Sequence, residues 1–187
     1  MDTNCEYISY ESTGYFSKLI IDYVKQDEKL ESFYKYKVSI EGIKASVEAR
    51  KQVQTPRHQL VQQLSKQYEG LDLTQGQQEN LQLLLNENTF TICTAHQPNI
   101  FTGPAFFIYK ILHAVKLANE LNDQLPGNKF VPVYYMGSED ADLDELGHIF
   151  LAGEKLVWET TQTGAVGRMK VDKHLTQLID KIAGQLE

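Results

Sequence analysis

Residues 91–110, TICTAHQPNIFTGPAFFIYK, open with alternating β-formers, pass through a short loop holding His96, Gln97 and Asn99, and then enter an amphipathic run behind Gly103-Pro104. That order predicts strand, loop and helix, with Thr102 or Gly103 able to cap and Pro104 in the first helical turn. The leading N–H groups of a helix lack internal partners, and the helix dipole is positive there. Residues 95–103 are therefore a candidate anion site of the kind α/β proteins use for phosphates and carboxylates. The plainer alternative is one more strand-to-helix connection.

Downstream, Ile108, Ile111, Leu112, Val115 and Ala118 mark the expected buried stripe of the helix, while Lys110, His113 and Lys116 fall elsewhere on its surface. A turn at Pro126-Gly127-Asn128 precedes residues 130–136, FVPVYYM. So continuous an apolar run fits a strand buried on both faces of a parallel sheet, and strand–helix–strand over this length is a βαβ unit. Proline donates no ladder hydrogen bond, which places Pro132 near the strand start.

The second strand runs into GSEDADLDELGH, residues 137–148, with five carboxylates inside seven residues. Three readings stay open. Ser138 or Asp140 caps a short helix with acids in its first turn; the segment is a solvated loop; or it binds a cation, either an ammonium group or Mg²⁺. In a parallel βαβ unit the loops after both strands leave the same edge, where ligands of open α/β sheets bind. A donor-rich helix start and an acidic loop then share one crevice suited to a zwitterion or an aminoglycoside.

Upstream, helical spacing predicts a segment through Phe16, Leu19, Ile20 and Tyr23 capped by Ser12 or Thr13. Further helices follow from Ser39, Thr55-Pro56 and Thr74, the last burying Leu81, Leu84 and Leu85. Their many glutamines, including Gln59, Gln62, Gln63, Gln67, Gln77, Gln78 and Gln82, read as a solvated face or as a partner surface. After the acidic loop, residues 149–151 and 155–158 form an expected hairpin around Gly153, with Trp158 a core or edge residue. Arg168 is placed to reach a phosphate or carboxylate. Asp172 caps a last helix carrying Leu175, Leu178, Ile179 and Ile182, whose pattern runs to the final residue as in a truncated chain. The expected division is a helical segment, residues 1–86, and an α/β core, residues 87–187.

A chain of 187 residues with 42% hydrophobic and 23% charged residues suits an ordinary folded protein. Its net charge of −7, without a basic stripe, argues against general nucleic-acid binding. Cys5 and Cys93 match no metal or redox spacing, and Cys93 is expected in the core. The start of the chain has no secretory pattern, and no apolar run approaches a membrane span, so the expected compartment is the cytoplasm.

TAHQPNIFTGPAFFIYKILHAVKLA, VPVYYMGSEDADLDELGHI, GAVGRMKVD and the early FSKLIIDYV together resemble the bacillithiol-biosynthesis cysteine-adding enzymes, the BshC family. Ala141 and Ala95 stand where many members have His and Gly. The resemblance implies a Rossmann-like core related to class I aminoacyl-tRNA synthetases and nucleotidyltransferases. It also implies a ligase that joins L-cysteine to glucosaminyl-malate, and a homodimeric full-length enzyme. The carboxylate must be activated, and an acyl adenylate is one route, with ATP and Mg²⁺ as its cofactor pair. His96 and Asp142 are then the catalytic candidates. Gln97, Asn99, Gly103, Lys110, Glu139, Asp140 and Arg168 are the binding candidates, and no metal-ligand set is assigned. Two other readings compete: a nucleotide-binding synthetase or nucleotidyltransferase for another small substrate, and a non-catalytic binding module using the glutamine face.

Overall fold

The structure is a computed structural model and describes residues 6–100 and 103–186. Cys5 and the capping candidate Thr102 lie outside the described residues. The chain divides into two compact units, Met1–Thr55 and Pro56–Glu187. The expected boundary at residue 86 falls inside the second unit.

The first unit holds α1 (Tyr10–Thr13), α2 (Lys18–Val24), a 3-10 helix (Glu28–Phe33) and α3 (Ile40–Arg50). Ser39 caps α3 as expected, its Oγ accepting the Gly42 N–H at 3.1 Å. Ser12 and Thr13 do not cap α2. They lie within α1, where their hydroxyls turn back to the carbonyls of Ser9 and Tyr10, and Ser17 takes the cap instead.

In the second unit come α4 (Arg57–Gln67) and α5 (Gln75–Leu83), the latter opened by a capping box between Thr74 and Gln77. Arg57 donates to the carbonyls of Leu84, Glu87 and Thr89 at 2.9–3.2 Å, satisfying the C-cap carbonyl of α5 and tying it to the start of β1. Then follow β1 (Thr89–His96), α6 (Ala105–Gln124) and β2 (Lys129–Met136). The strands pair in parallel from Thr89↔Lys129 to His96↔Met136. Val61 and Leu84 bury against Val131, with Val133 beside them, so α4 and α5 cover one face of β2. Successive strand side chains alternate between faces, and on the other face α6 meets Tyr134 through Phe107.

Four expectations change here. Pro132 sits in mid-strand. Lys129 donates inward to Asn88, so the alternating neighbours Phe130 and Pro132 point their backbone groups away from β1, and the missing N–H costs no ladder bond. Asn122 of α6 closes the same edge: its amide donates to Phe130 O and accepts from Phe130 N, both at 2.9 Å. Replacing Asn122 with leucine should leave two backbone groups unpaired and destabilise the unit by about 1–2 kcal/mol. Urea denaturation would show this as a lowered midpoint with unchanged slope, and an unshifted midpoint would refute the role.

The helix is turned relative to the expected stripe. Ala114, Ala118 and Leu121 are buried, whereas Ile108, Leu112 and Val115 are exposed, because the small residues set the close approach to the sheet. Cys93 is exposed rather than in the core, since it lies on the face of β1 opposite to α6. Finally, β2 is buried on both faces only at Phe130 and Val131, and Tyr135 and Met136 are more than half exposed.

Beyond β2 lie α7 (Leu143–Leu146), the antiparallel hairpin β3 (His148–Leu151) and β4 (Glu154–Val157), and α8 (Lys173–Leu186). The hairpin turns through Ala152 and Gly153, both at positive φ, as a two-residue primed turn requires. Trp158, Leu156, Leu178 and Ile182 form a second buried cluster, so Trp158 is a core residue. Asp172 caps α8 through the Leu175 N–H at 2.9 Å and accepts from Trp158 Nε1 at 2.9 Å.

Those two hydrogen bonds, the Leu175 one foremost, hold the Asp172 carboxyl at about 2, below its usual 3.8. A depressed carboxylate contributes stability above its unfolded pKa and loses it as pH falls through the folded value. The stability difference between wild type and Asp172→Asn should therefore be full above about pH 4 and shrink towards pH 2. Thermal melts across that range check it; a difference that stays constant would exclude the cap as its source.

Candidate functional site

The register that pairs His96 with Met136 brings the two following loops out side by side. Gly137 N donates to His96 O at 3.0 Å, extending the ladder by one bond. Gln97 Nε2 then donates to Asp140 Oδ2 at 3.0 Å, a direct bridge between the loops. That bond, followed by the Asp142 N–H donating to Asp140 Oδ1, holds the Asp140 carboxyl below its ordinary range.

His96 closes β1 rather than lying in the loop, and it is buried. Its ring packs against Phe106 at 5.1 Å and edge-on to Phe107 at 5.6 Å, both from the first turn of α6. Tyr134 donates to His96 O at 3.2 Å, and burial raises the pKa of its phenol. Asn99 Nδ2 lies 3.0 Å from His96 Nδ1 and 3.1 Å from Gln97 O.

Pro104 occupies the N-cap position with extended backbone, so α6 begins one residue later than expected and carries no side-chain cap. The Gly103 N–H is spent on Ile100 O, and Phe107 N on Pro104 O, which leaves Ala105 and Phe106 as the leading donors without a partner among the described residues. Lys110 is not simply a surface residue: its Nζ reaches back to Ala95 O, over the Phe106 ring.

On the acidic side, neither Ser138 nor Asp140 caps the short helix. Asp142 does, its Oδ1 accepting the Glu145 N–H at 3.3 Å. Glu139 accepts from the Tyr135 hydroxyl at 3.1 Å, which raises the tyrosine pKa. Among the described residues none of the five carboxylates forms an ion pair. Nor do three or more His, Cys, Asp or Glu side chains converge there as a metal site.

A third segment joins the rim, and residue reading missed it. Val166 N donates to Asp140 O at 2.8 Å and Gly167 N to Ser138 O at 3.1 Å. A Cβ on Gly167 would stand 2.5 Å from Ser138 Cβ, so only glycine allows this approach. The paired glycines of GAVGR were the available signal. Arg168, next in the chain, is exposed and makes no side-chain hydrogen bond or ion pair among the described residues. The structure thus joins the segment of His96, Gln97 and Asn99 to Asp140 through the Gln97 side chain, with Glu139 and Asp142 in the same loop as Asp140. Gly103 packs against Asn99, Lys110 reaches Ala95 O, and Arg168 follows the strut that bonds to the acidic loop.

A parallel βαβ unit with adjoining loops at the carboxyl ends of its strands defines a Rossmann-like α/β domain. The chain belongs to the BshC family: the family described as "Bacillithiol biosynthesis BshC, N-terminal Rossmann-like domain" matches residues 3–187. It is 42% identical over 189 residues to a Flavobacterium psychrophilum protein named "Putative cysteine ligase BshC", covering 100% of this chain and 35% of that protein. Proteins of the same name from Cytophaga hutchinsonii and Christiangramia forsetii are 42% and 38% identical, over 87% and 97% of this chain and 31% and 34% of theirs. The chain therefore spans about a third of the length of these curated relatives. No described helix is long and apolar enough to cross a membrane.

Proposed function

We propose that this chain is the nucleotide- and substrate-binding part of a cytoplasmic cysteine ligase that adds L-cysteine to glucosaminyl-malate in bacillithiol biosynthesis. Small molecules are its partners, neither nucleic acid nor membrane, and the full-length protein is a homodimer. The observation that carries the reading is the Gln97–Asp140 hydrogen bond, which joins the segment leaving β1 to an acidic loop at one rim.

Amide formation needs a better leaving group than carboxylate oxygen, and a nucleotide supplies one. The start of α6, which has no side-chain cap among the described residues, and the His96 ring fit its phosphates, where N–H donors meet developing negative charge. Gln97 and Asn99 orient His96 and the acidic loop, Lys110 screens the carbonyl end of β1, and Arg168 supplies a positive charge with no ion-pair partner among the described residues. Glu139, Asp140 and Asp142 attract the ammonium group of the amino substrate. Mg²⁺ would arrive with the phosphates, because it keeps several of its waters and needs few protein ligands.

Calorimetric titration of the protein with ATP, with and without Mg²⁺, should show binding that His96→Ala abolishes; no heat under either condition would count against a nucleotide site. In cells lacking the gene, bacillithiol should disappear while glucosaminyl-malate accumulates. An unchanged thiol profile would move the reading to a synthetase for another small substrate.

A further inference from the structure

We propose that Asn99 is a positioning residue that locks His96 in the neutral tautomer protonated on Nε2. The inference rests on the reading that His96 belongs to the binding rim, and it names which ring nitrogen faces the protein as an acceptor. An Asn side-chain nitrogen can only donate. Asn99 Nδ2 sits 3.0 Å from His96 Nδ1 and 3.1 Å from Gln97 O, so its two hydrogens match two acceptors. A proton on Nδ1 would meet one of those N–H groups head-on; Gln97 O, 3.2 Å from Nδ1, already accepts the other Asn99 hydrogen.

Turning the amide over is the other arrangement. It would set Asn99 Oδ1 3.1 Å from the Gln97 carbonyl oxygen, two acceptors facing each other. It would also move the NH₂ into a buried position where the amide oxygen finds no partner among the described residues. Two orphaned buried donors cost more than one under-satisfied carbonyl.

Gly103 makes the lock possible. A Cβ there would lie 2.8 Å from Asn99 Cγ and Oδ1, and its φ of +59° is one that side-chain-bearing residues rarely adopt. Gly103 thus packs on the amide from one side while His96 meets it from the other. With Nδ1 occupied, Nε2 carries the proton and presents the ring as an uncharged donor to an acceptor oxygen of the ligand.

Long-range ¹H–¹⁵N spectra of the 187-residue protein, ¹⁵N-labelled at histidine and recorded near about pH 8.5, well above the ordinary imidazole value of about 6.5, read the tautomer directly. His96→Gln assigns the signal. His148, whose Nδ1 lies 2.9 Å from Asp144 O, supplies the opposite, Nδ1-protonated pattern as an internal reference. Wild type should show His96 with bare Nδ1 and protonated Nε2. Asn99→Asp, nearly isosteric but without donors, should lose that pattern and gain protonated Nδ1. Asn99→Ala should give a mixture of the two.

A protonated Nδ1 in wild type, or an Asn99→Asp ring that stays protonated on Nε2, overturns the proposal. Because the spectra are taken without ligand, they succeed or fail independently of the ATP titration. Dispersed amide spectra of each variant exclude unfolding as the cause of a change, and the wild-type pattern decides the matter even if Asn99→Ala fails to fold.

Discussion

Trp158→Ala should destabilise the second unit by about 3–5 kcal/mol, the range for truncating a buried aromatic side chain. Trp158 is buried beside Leu156, Leu178 and Ile182, in the cluster where α8 meets the hairpin. Its ring nitrogen also donates to Asp172, and its backbone N–H donates to Gly147 O at 2.8 Å, tying the end of β4 to the end of α7. Truncation opens a cavity and removes one of the three hydrogen bonds that the capping carboxylate accepts from Trp158, Leu175 and Gln162. Trp158→Phe keeps most of the buried area and loses only the N–H donor, so it should cost about 1–2 kcal/mol. Urea denaturation followed by circular dichroism separates the two variants. A loss below about 1 kcal/mol for the alanine variant would mean that the ring is not a structural centre.

Gly167→Val is expected to damage the rim most severely. Its side chain would begin 2.5 Å from Ser138 Cβ and 2.7 Å from Ser138 O, so the 166–168 strut must move away from the acidic loop. With it go the hydrogen bonds from Gly167 to Ser138 and from Val166 to Asp140. Overpacking together with two lost backbone bonds should cost roughly 2–4 kcal/mol. The same change should abolish ligand binding at temperatures where the protein is still folded. Melting temperature and ATP calorimetry on the same sample test both halves. Normal affinity at a lowered melting point would show that the strut supports the fold and not the site.

Much of this molecule was legible locally. Helix starts at Ser39, Thr74 and Asp172 were readable because a short polar side chain followed by an apolar period is a complete local signal. The parallel βαβ unit was legible because a crossover helix between two apolar runs leaves few arrangements. The adjacency of the His96 and Asp140 loops followed from that topology alone.

Other features depend on what lies across space. Cys93 looked like a core residue because it is small and sits in a strand; its exposure depends on which side of β1 is covered. The buried stripe of α6 keeps the expected Ala118 but passes through Ala114 and Leu121 instead of Ile108, Leu112 and Val115, since the side of the helix that meets the sheet decides which residues are covered. Pro132 looked misplaced for mid-strand until the direction of the neighbouring N–H groups was known.

By itself the sequence determined the order of elements, the class of fold and the pairing of a donor-rich loop with an acidic one, since these rest on periodicity, capping and connection length. Only the tertiary structure decided that Asp142 is spent as a helix cap, that Asn99 faces the His96 ring, and that Gly167 lies under Ser138. Those depend on contacts between segments distant in the chain, or on the orientation of one amide within a loop, and no local pattern of residues encodes either.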